Sequence, residues 1–438
     1  MFFATLTPVM LLLCGAVLSY GIGLPHILRP KTFLTALQDR PKTASATKGA
    51  TSATKAMTVA LAGTLGVGNI TGVSSAILQG GVGAVFWMWI GALFSMAVKY
   101  GEVALAVLYR KRRPDGQYIG GMMYVLRDGL PFGKGISWTL GGAFALLCVA
   151  NALVTGTLVQ SHAAACVVPF FSRSTTGLLL ALLVLLAILY GTDRVGDITL
   201  GLIPILSGGF LLLSLWIIVG HIPLLPSILR EILREAFALS PTVGAGSAMQ
   251  GGFFCAMRYG ITRGIFSNEA GCGTSPTAHA AAETKSPFHQ GCFGILEVIC
   301  DTPVFCTCTA LVLCIADRRF GILSSGTEDV VLRAFAGFGG TFVYGLLAGM
   351  VLLFAYATIL AQLYYGSVAL QYFRCDTILL WLYRLVTVAV VVVGSVIEGD
   401  VMWQLADGLI GVMTCMNTAV LLFLRREIVG TVPGKEKK

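Results

Sequence analysis

Apolar residues run along this chain in long blocks joined by shorter polar connections, without the close apolar and polar alternation of a fold that faces water on one side. A helix needs about 20 predominantly apolar residues to cross roughly 30 Å of hydrocarbon. Eleven stretches qualify: 4–27, 56–79, 83–108, 138–169, 176–192, 198–220, 243–282, 291–315, 340–368, 377–397 and 401–424. Two are longer than one crossing requires, and 243–282 is interrupted by glycines and prolines, which predicts a broken helix or an amphipathic lead-in. Hydrocarbon cannot satisfy free backbone N–H and C=O groups, so spans are helices or a closed barrel, and these runs far exceed alternating strands of about ten residues. The expected fold class is an all-α polytopic membrane protein. The first stretch has no Lys or Arg before it and no small-residue cleavage pattern after it, so it is expected to stay as a helix.

Composition agrees: 56% of residues are hydrophobic and 12% charged, against about 25% charged in an ordinary soluble domain. A net charge of +9 raises the question of a nucleic-acid partner, and its distribution answers it. Lys and Arg gather in 28–55 (Arg29, Lys31, Arg40, Lys42, Lys48, Lys55), in 109–137 (Arg110, Lys111, Arg112, Arg113, Arg127, Lys134) and in the tail (Arg425, Arg426, Lys435, Lys437, Lys438). Arg194, Lys285 and Arg374 fall on the same side, whereas the other side holds Arg173, Arg230, Arg234, Arg318, Arg319 and Arg333. Excess basic residues mark cytoplasmic loops. The expected topology is therefore an outside N-terminus and a cytoplasmic C-terminus in the plasma (inner) membrane. The lipid bilayer explains the charge and nucleic acid is not needed; no obligatory protein partner is evident. The twelve cysteines lie mostly inside apolar runs. Cys306 and Cys308 form a C-x-C without a second Cys pair or His at zinc-like spacing, which favours packing over a transition-metal site.

No soluble domain or long linker interrupts the chain, so residues 1–438 read as one membrane transport domain. Setting aside an extra N-terminal helix (1–30) and a cytoplasmic tail (425–438) leaves two sets of five helices, 56–220 and 243–424. The first helix of the first set carries Gly63-Thr64-Leu65-Gly66-Val67-Gly68-Asn69-Ile70-Thr71-Gly72. Its counterpart in the second carries Ser267-Asn268-Glu269-Ala270-Gly271-Cys272-Gly273-Thr274-Ser275-Pro276. Matched breaks in two halves of a transporter point to an inverted repeat with its site near the midplane, and an odd number of helices per half gives the inversion. Small residues also let helices pack closely. That reading suits Gly83 or Gly91 alone, but not clusters that add Asn69, Asn268 and Glu269.

A broken helix offers half-helix N-termini to a carboxylate and freed carbonyls to Na⁺, so a zwitterionic amino acid and a hard cation fit such a site together. Glu269 is an intramembrane acid, costly without a partner or a purpose. It reads as a cation ligand, an amino-group partner or a proton carrier, or else as a carboxylate bonded to the broken backbone or paired with Arg263. Lys99 and Glu102, three apart on one helix face, read as a local ion pair. Asp301 reads as a gate or a structural anchor, with Asp407 similar. His162 packs through a hydrogen bond, lines the site or carries a proton, and His279 reads as structural. There is no G-x-S-x-G, H-E-x-x-H or P-loop, so neither enzyme chemistry nor ATP drive is expected.

At the two glycine-rich clusters the sequence resembles the alanine or glycine:cation symporter family, also called sodium:alanine symporters. Residues Gly63 to Gly72 are similar to that family's Gly-Thr-Val-Gly-Thr-Gly-Asn-Ile-Ala-Gly. Phe86-Trp87-Met88-Trp89, Lys99-Tyr100-Gly101-Glu102 and Gly120-Gly121-Met122-Met123-Tyr124 follow in the family's order. The strongest block runs from Arg263-Gly264-Ile265-Phe266-Ser267-Asn268-Glu269-Ala270-Gly271 through Ala278-His279-Ala280-Ala281-Ala282 to Gln290-Gly291 and Asp301-Thr302. The resemblance covers 56–424. It implies a leucine-transporter-like five-plus-five inverted repeat with one extra N-terminal helix, about eleven crossings in all. It also implies coupling of Na⁺, or sometimes H⁺, to alanine, glycine or a similar small neutral amino acid, with no cofactor beyond the co-transported ion.

Carried over residue by residue, the resemblance implies substrate contacts at Thr64, Gly66, Gly68, Asn69, Ser267, Asn268, Gly271 and Gly273, and cation contacts at Thr64, Gly68 and Asn69. Gln160 and Ser161 match a Val-Gln-Ser-Asn segment in which His162 replaces the Asn. Phe354-Ala355-Tyr356-Ala357-Thr358 is similar to Phe-Ala-Phe-Ser-Thr, whose hydroxyls resemble a sodium-ligand pair. Ala357 removes one hydroxyl and leaves Thr358 as the cation-binding oxygen, an altered cation site. Cys272 stands where the family has Met and Gln362 where it has Trp; if both face the pocket, it is larger and more polar than one shaped for alanine. The expected function is a sodium-coupled symporter working by alternating access. The alternatives are a proton-coupled transporter using Glu269 and His162, a non-transporting sensor of the same fold, and, more remotely, a membrane-embedded enzyme.

Overall fold

The computed structural model describes residues 2–38, 51–114, 116–168, 170–191, 195–238, 252–325 and 329–435. Arg40, Lys42, Lys48, Arg194, Lys437 and Lys438, used above for topology, lie outside these, as does the start of the 243–282 stretch. The helices are α1 (Phe2–Ile22), α2 (Ala53–Thr64), α3 (Thr71–Gly80), α4 (Ala84–Leu108), α5 (Lys134–Leu153), α6 (Val159–Val167), α7 (Arg173–Tyr190) and α8 (Val195–Gly220). They continue with α9 (Leu225–Ala236), α10 (Phe253–Asn268), α11 (Pro276–Ala280), α12 (Pro287–Ile299), α13 (Thr307–Phe320), α14 (Val330–Gln371), α15 (Thr377–Val396) and α16 (Gly399–Phe423). Among the described residues nine helical spans are long and apolar enough to cross a membrane, or ten if α2 and α3, bent by 59° across their break, form one span. The chain is thus a predominantly helical multi-pass membrane protein. The stretch expected at 243–282 is no continuous helix: α10 ends at Asn268 and only the short α11 follows the glycines.

Two spans carry widened π-helical turns. Val154–Leu158 joins α5 to α6, and Cys300–Cys306 joins α12 to α13. In the second, Pro303 cannot donate a backbone hydrogen bond, which loosens the ladder around Asp301. The expected 340–368 helix begins earlier, at Val330, because a turn at Gly340 (φ +68°) joins a preceding helical segment to it. Two small strand pairs were not expected from the apolar runs. Thr51–Ser52 runs parallel to Ala282–Glu283 and ties the start of α2 to the end of the second broken segment, while Lys111–Arg112 and Tyr118–Ile119 form a hairpin in the basic 109–137 connection.

Helix α1 packs on α4 and α16. Gly15 permits this approach, since a Cβ there would stand 2.5 Å from Phe94 Cβ. Lys435 Nζ donates to Gly21 O at 2.6 Å and Arg29 Nη1 to Pro433 O at 2.9 Å, so the C-terminal segment clasps the N-terminal helix. Gly83 is a packing glycine, its face filled by the Glu235–Ala236 backbone. Gly91 is not required as one, because a Cβ there would meet Ile261 at an ordinary 3.6 Å.

Candidate functional site

The two breaks face each other inside the helix bundle. In the first, α2 stops at Thr64, Gly66 is extended (φ −119°, ψ −154°) and one 3-10 turn, Val67–Asn69, leads into α3. A Cβ on Gly66 would stand 2.6 Å from Thr358 Oγ1 and 2.8 Å from Gln160 Oε1, so only glycine lets these two side chains reach the opened backbone. Gln160 Oε1 accepts from Val67 N at 3.2 Å, and Thr358 Oγ1 donates to Ala62 O at 2.8 Å. Thr64 turns back onto its own helix, donating to Ala60 O at 3.3 Å. A Cβ on Gly68 would meet Phe266 and Ser267 at an ordinary 3.4–3.6 Å, on the side of the second break.

The second break turns through Glu269 (φ +50°), Gly271 (φ +91°) and Gly273 (φ +73°). The left-handed glycines are required there, whereas the non-glycine Glu269 stores roughly 1–3 kcal/mol of strain. Asn268 stabilises the turn: its Oδ1 accepts from Ala270 N at 2.9 Å and its Nδ2 donates to Thr302 Oγ1 at 3.1 Å.

Between the breaks sits the carboxylate of Asp301, fully buried in the widened turn after α12. Asn69 Nδ2 donates to its Oδ1 at 2.6 Å; Ser267 Oγ and Thr302 Oγ1 each donate to its Oδ2 at 2.8 Å. Asn69 also donates to Ser267 Oγ at 2.9 Å, so one acid joins both breaks. Asn69 Oδ1 is buried without a hydrogen-bond partner, an acceptor left for a cation or a donor. Elsewhere in the second break, Glu269 Oε1 accepts from Gln362 Nε2 at 2.6 Å and its Oε2 from Thr274 Oγ1 at 2.5 Å. The stem of Gln362 lies directly on Gly156, in the widened turn between α5 and α6.

Of the residues expected at the site, Gly66, Gln160 and Thr358 meet at the first break, and Asn69, Ser267 and Asn268 meet around Asp301 and Thr302. Glu269 and Gln362 meet each other. Ser161 does not join them: its hydroxyl donates to Leu158 O and packs on Gly394 of α15. His162 Nε2 lies 3.5 Å from Cys166 Sγ, one turn along its own helix. Cys272 Sγ lies 3.8 Å from Thr414 Oγ1 of α16.

One alternative for Glu269 is closed and one expected pairing is corrected. Arg263 does not reach Glu269; its Nη1 donates to Asp407 Oδ1 at 3.2 Å and its guanidinium covers Trp403. Lys99 does not pair along its own helix with Glu102, because the neighbouring helix α12 and the second break offer it better acceptors, Glu297 Oε1 at 3.3 Å and Ser275 Oγ at 2.7 Å. His279 is structural as expected, held between Glu297 Oε2 at 3.0 Å and Gln290 Nε2 at 2.8 Å. The sequence reading left Asp301 unassigned to the site and passed over Glu297 and Asn417. A lone acid or amide inside an apolar run is a functional candidate by default, and that signal was present at all three.

A cavity of about 520 Å³ lies beyond the first break, bounded by residues such as Lys55, Val59, Arg113, Ala278, Ser367 and Arg384. Lys55 Nζ and Asp197 Oδ1 pair at 2.7 Å at its wall, and Tyr365 OH donates to Val59 O at 3.4 Å between cavity and break.

Sequence comparison decides the family. The profile of the sodium:alanine symporter family matches residues 1–434. The chain belongs to this family. It is 36% identical over 389 residues to a sodium/alanine symporter of Methanococcus maripaludis, covering 86% of this chain and 82% of that protein. It is 31% identical to a probable sodium/glutamine symporter of Bacillus subtilis (90% and 80% covered). A putative sodium/proton-dependent alanine carrier protein of the same organism is 33% identical (99% and 90% covered). In fold it is similar to a manganese transporter of Eremococcus coleocola, with a TM-score of 0.55 at 13% identity over 88% of this chain and 81% of that one. Family and relatives are membrane transporters and not enzymes, and family membership makes this chain an amino-acid transporter.

Proposed function

We propose that this protein imports a small neutral amino acid, alanine or glycine being the reference substrates, together with Na⁺ by alternating access. The reading takes the fold as a leucine-transporter-like five-plus-five inverted repeat of eleven crossings, with 56–220 and 243–424 as the repeats, an extra N-terminal helix outside them and a cytoplasmic tail. The N-terminus is outside and the C-terminus cytoplasmic in the cell membrane. The 520 Å³ cavity, walled by Lys55 and Arg113 from basic connections, is then the cytoplasmic vestibule.

The observation that carries the reading is Asp301. It is a buried carboxylate with no Lys or Arg bound to it among the described residues, held by the hydroxyls of Ser267 and Thr302 and the amide nitrogen of Asn69 where two broken helices meet. Hard cations take such oxygen donors. The cation is assigned to Asp301, Asn69 and Ser267, with Thr358 and the opened carbonyls around Gly66 and Gly68 as further oxygens. The substrate carboxylate is assigned to the freed backbone N–H groups of the two breaks, and its ammonium to the acceptor face of Asn69 and Gln362 Oε1, which is also buried and unpartnered. Thr64, whose hydroxyl is bonded back to its helix, contributes backbone only.

The test is uptake of labelled alanine by proteoliposomes with and without an inward Na⁺ gradient. Accumulation above equilibrium only with the gradient is expected. Gradient-independent equilibration, or saturable binding without uptake as in a sensor, contradicts the reading.

A further inference from the structure

The acids buried in the bundle are not held alike. Glu297 faces Lys99 Nζ at 3.3 Å and His279 Nε2 at 3.0 Å. Asp301 and Glu269 receive hydrogen bonds on both carboxyl oxygens. Glu102, fully buried on α4, is different. Its Oε1 accepts from Gly273 N at 3.0 Å and from Asn417 Nδ2 of α16, while its Oε2 is buried with no hydrogen-bond partner among the described residues. Asn417 Oδ1 is likewise buried and unpartnered. The other titratable groups that face Glu102 are Lys99 on its own helix, Glu297 on α12, Cys14 on α1 and Cys272 at the second break. Among the described residues only Lys99 brings positive charge, and its ammonium is directed at Ser275 and Glu297. A carboxylate at Glu102 would bury a full charge with one oxygen unmatched. A neutral carboxyl keeps both bonds at Oε1 and buries no charge.

We propose that Glu102 is a proton-binding site, separate from the cation site at Asp301, which carries a proton in this conformation and gives it up when the second break rearranges. Its two donors are coupled to that break: one is the Gly273 N–H, and the other, Asn417 Nδ2, also donates to Gly271 O at 2.8 Å. Any change of the Gly271–Gly273 turn during alternating access alters both bonds at once. The step is a simple transfer, in which the Glu102 O–H bond breaks and the proton passes to water on the side then open, leaving the carboxylate to be reprotonated from the other side.

The inference rests on the symporter reading above, and its test separates the two. Full-length protein is reconstituted with a pH-sensitive dye inside the vesicles, and Na⁺-driven alanine uptake is followed together with internal pH. Wild type is expected to acidify the interior as alanine enters. Glu102→Gln should retain alanine exchange but lose acidification, and Glu102→Asp should keep acidification with a displaced pH profile. Alanine uptake without proton movement in wild type, or undiminished acidification in Glu102→Gln, overturns the inference and leaves symport standing. Should Glu102→Gln fail to fold, infrared spectroscopy of wild type and Glu102→Asp decides. A protonated-carboxyl band that titrates differently in the two supports the assignment, and identical titration, or no such band near neutral pH, overturns it. Absence of Na⁺-driven uptake in wild type instead counts against the symporter reading, and the infrared result still decides Glu102.

Discussion

At the residue scale, the account turns on which side chains hold the two breaks together. Asp301→Asn keeps the shape of the side chain but removes its charge, and it places an N–H₂ against donors from Asn69, Ser267 or Thr302. It should raise the Na⁺ concentration for half-maximal uptake by about tenfold or more, since 1.4 kcal/mol is one decade; a Na⁺ titration of uptake checks this, and an unchanged curve removes Asp301 from the cation site. The sequence places both Gln362 and Cys272 on substrate size, with Gln362 the more important. The structure separates them: Gln362 holds Glu269 while Cys272 faces Thr414. Gln362→Met, similar in length but without the amide, should therefore change the order in which neutral amino acids compete with labelled alanine, whereas Cys272→Ser should leave it unchanged. A buried carboxylate deprived of one donor costs about 1–3 kcal/mol or more. The sequence made Gly66, Asn69, Ser267, Asn268 and Glu269 legible because polar and glycine residues stand out in an apolar run. It could not show that Ser161 and Cys272 point elsewhere, since Ser161 lies in a run of polar residues, Gln160-Ser161-His162, that marks no single face, and Cys272 lies in a turn whose side-chain directions no helical period sets.

At the element scale, the breaks were predictable and their internal geometry was not. Matched glycine clusters announced where α2 and α10 end, but the widened turns at Val154–Leu158 and Cys300–Cys306 have no such signature beyond Pro303. Those turns bring Gly156 under Gln362 and Asp301 between the breaks. The glycines of the first break now separate by role. Gly66→Ala should abolish uptake, because its Cβ would stand 2.6 Å from Thr358 Oγ1 and 2.8 Å from Gln160 Oε1. Gly68→Ala, whose nearest contact is 3.4 Å, should retain most of it. Uptake assays at matched expression test the pair, and equal effects would mean that the breaks do not pack as described. The lock between α4 and α12 gives a second test. Lys99→Met leaves Glu297 buried beside His279 without its ammonium and should cost about 3–5 kcal/mol of stability. Adding Glu297→Gln should recover part of the loss in thermal unfolding in detergent. The i,i+3 spacing of Lys99 and Glu102 suggested a different pair, because spacing along one helix cannot show what a neighbouring helix presents.

At the scale of the whole molecule, apolar run length identified the membrane class and most of the spans. An N-terminal helix was expected, but the clasp of α1 and its following turn by Lys435 and Arg29 with the C-terminal segment required the fold. The central claim is that a neutral zwitterion and Na⁺ move together, which makes transport carry at least one positive charge inward, a proton moved through Glu102 adding to it. A membrane potential then drives accumulation even without a chemical gradient, worth roughly 2.3 kcal/mol, or about fifty-fold, per 100 mV. The most direct measurement uses proteoliposomes with equal Na⁺ inside and out and a K⁺ diffusion potential, negative inside, imposed by valinomycin. The account predicts that labelled alanine accumulates well above the external concentration when the potential is applied, only in Na⁺, and merely equilibrates when it is collapsed. Uptake that reaches the same level with and without the potential, or that needs no Na⁺, would contradict it.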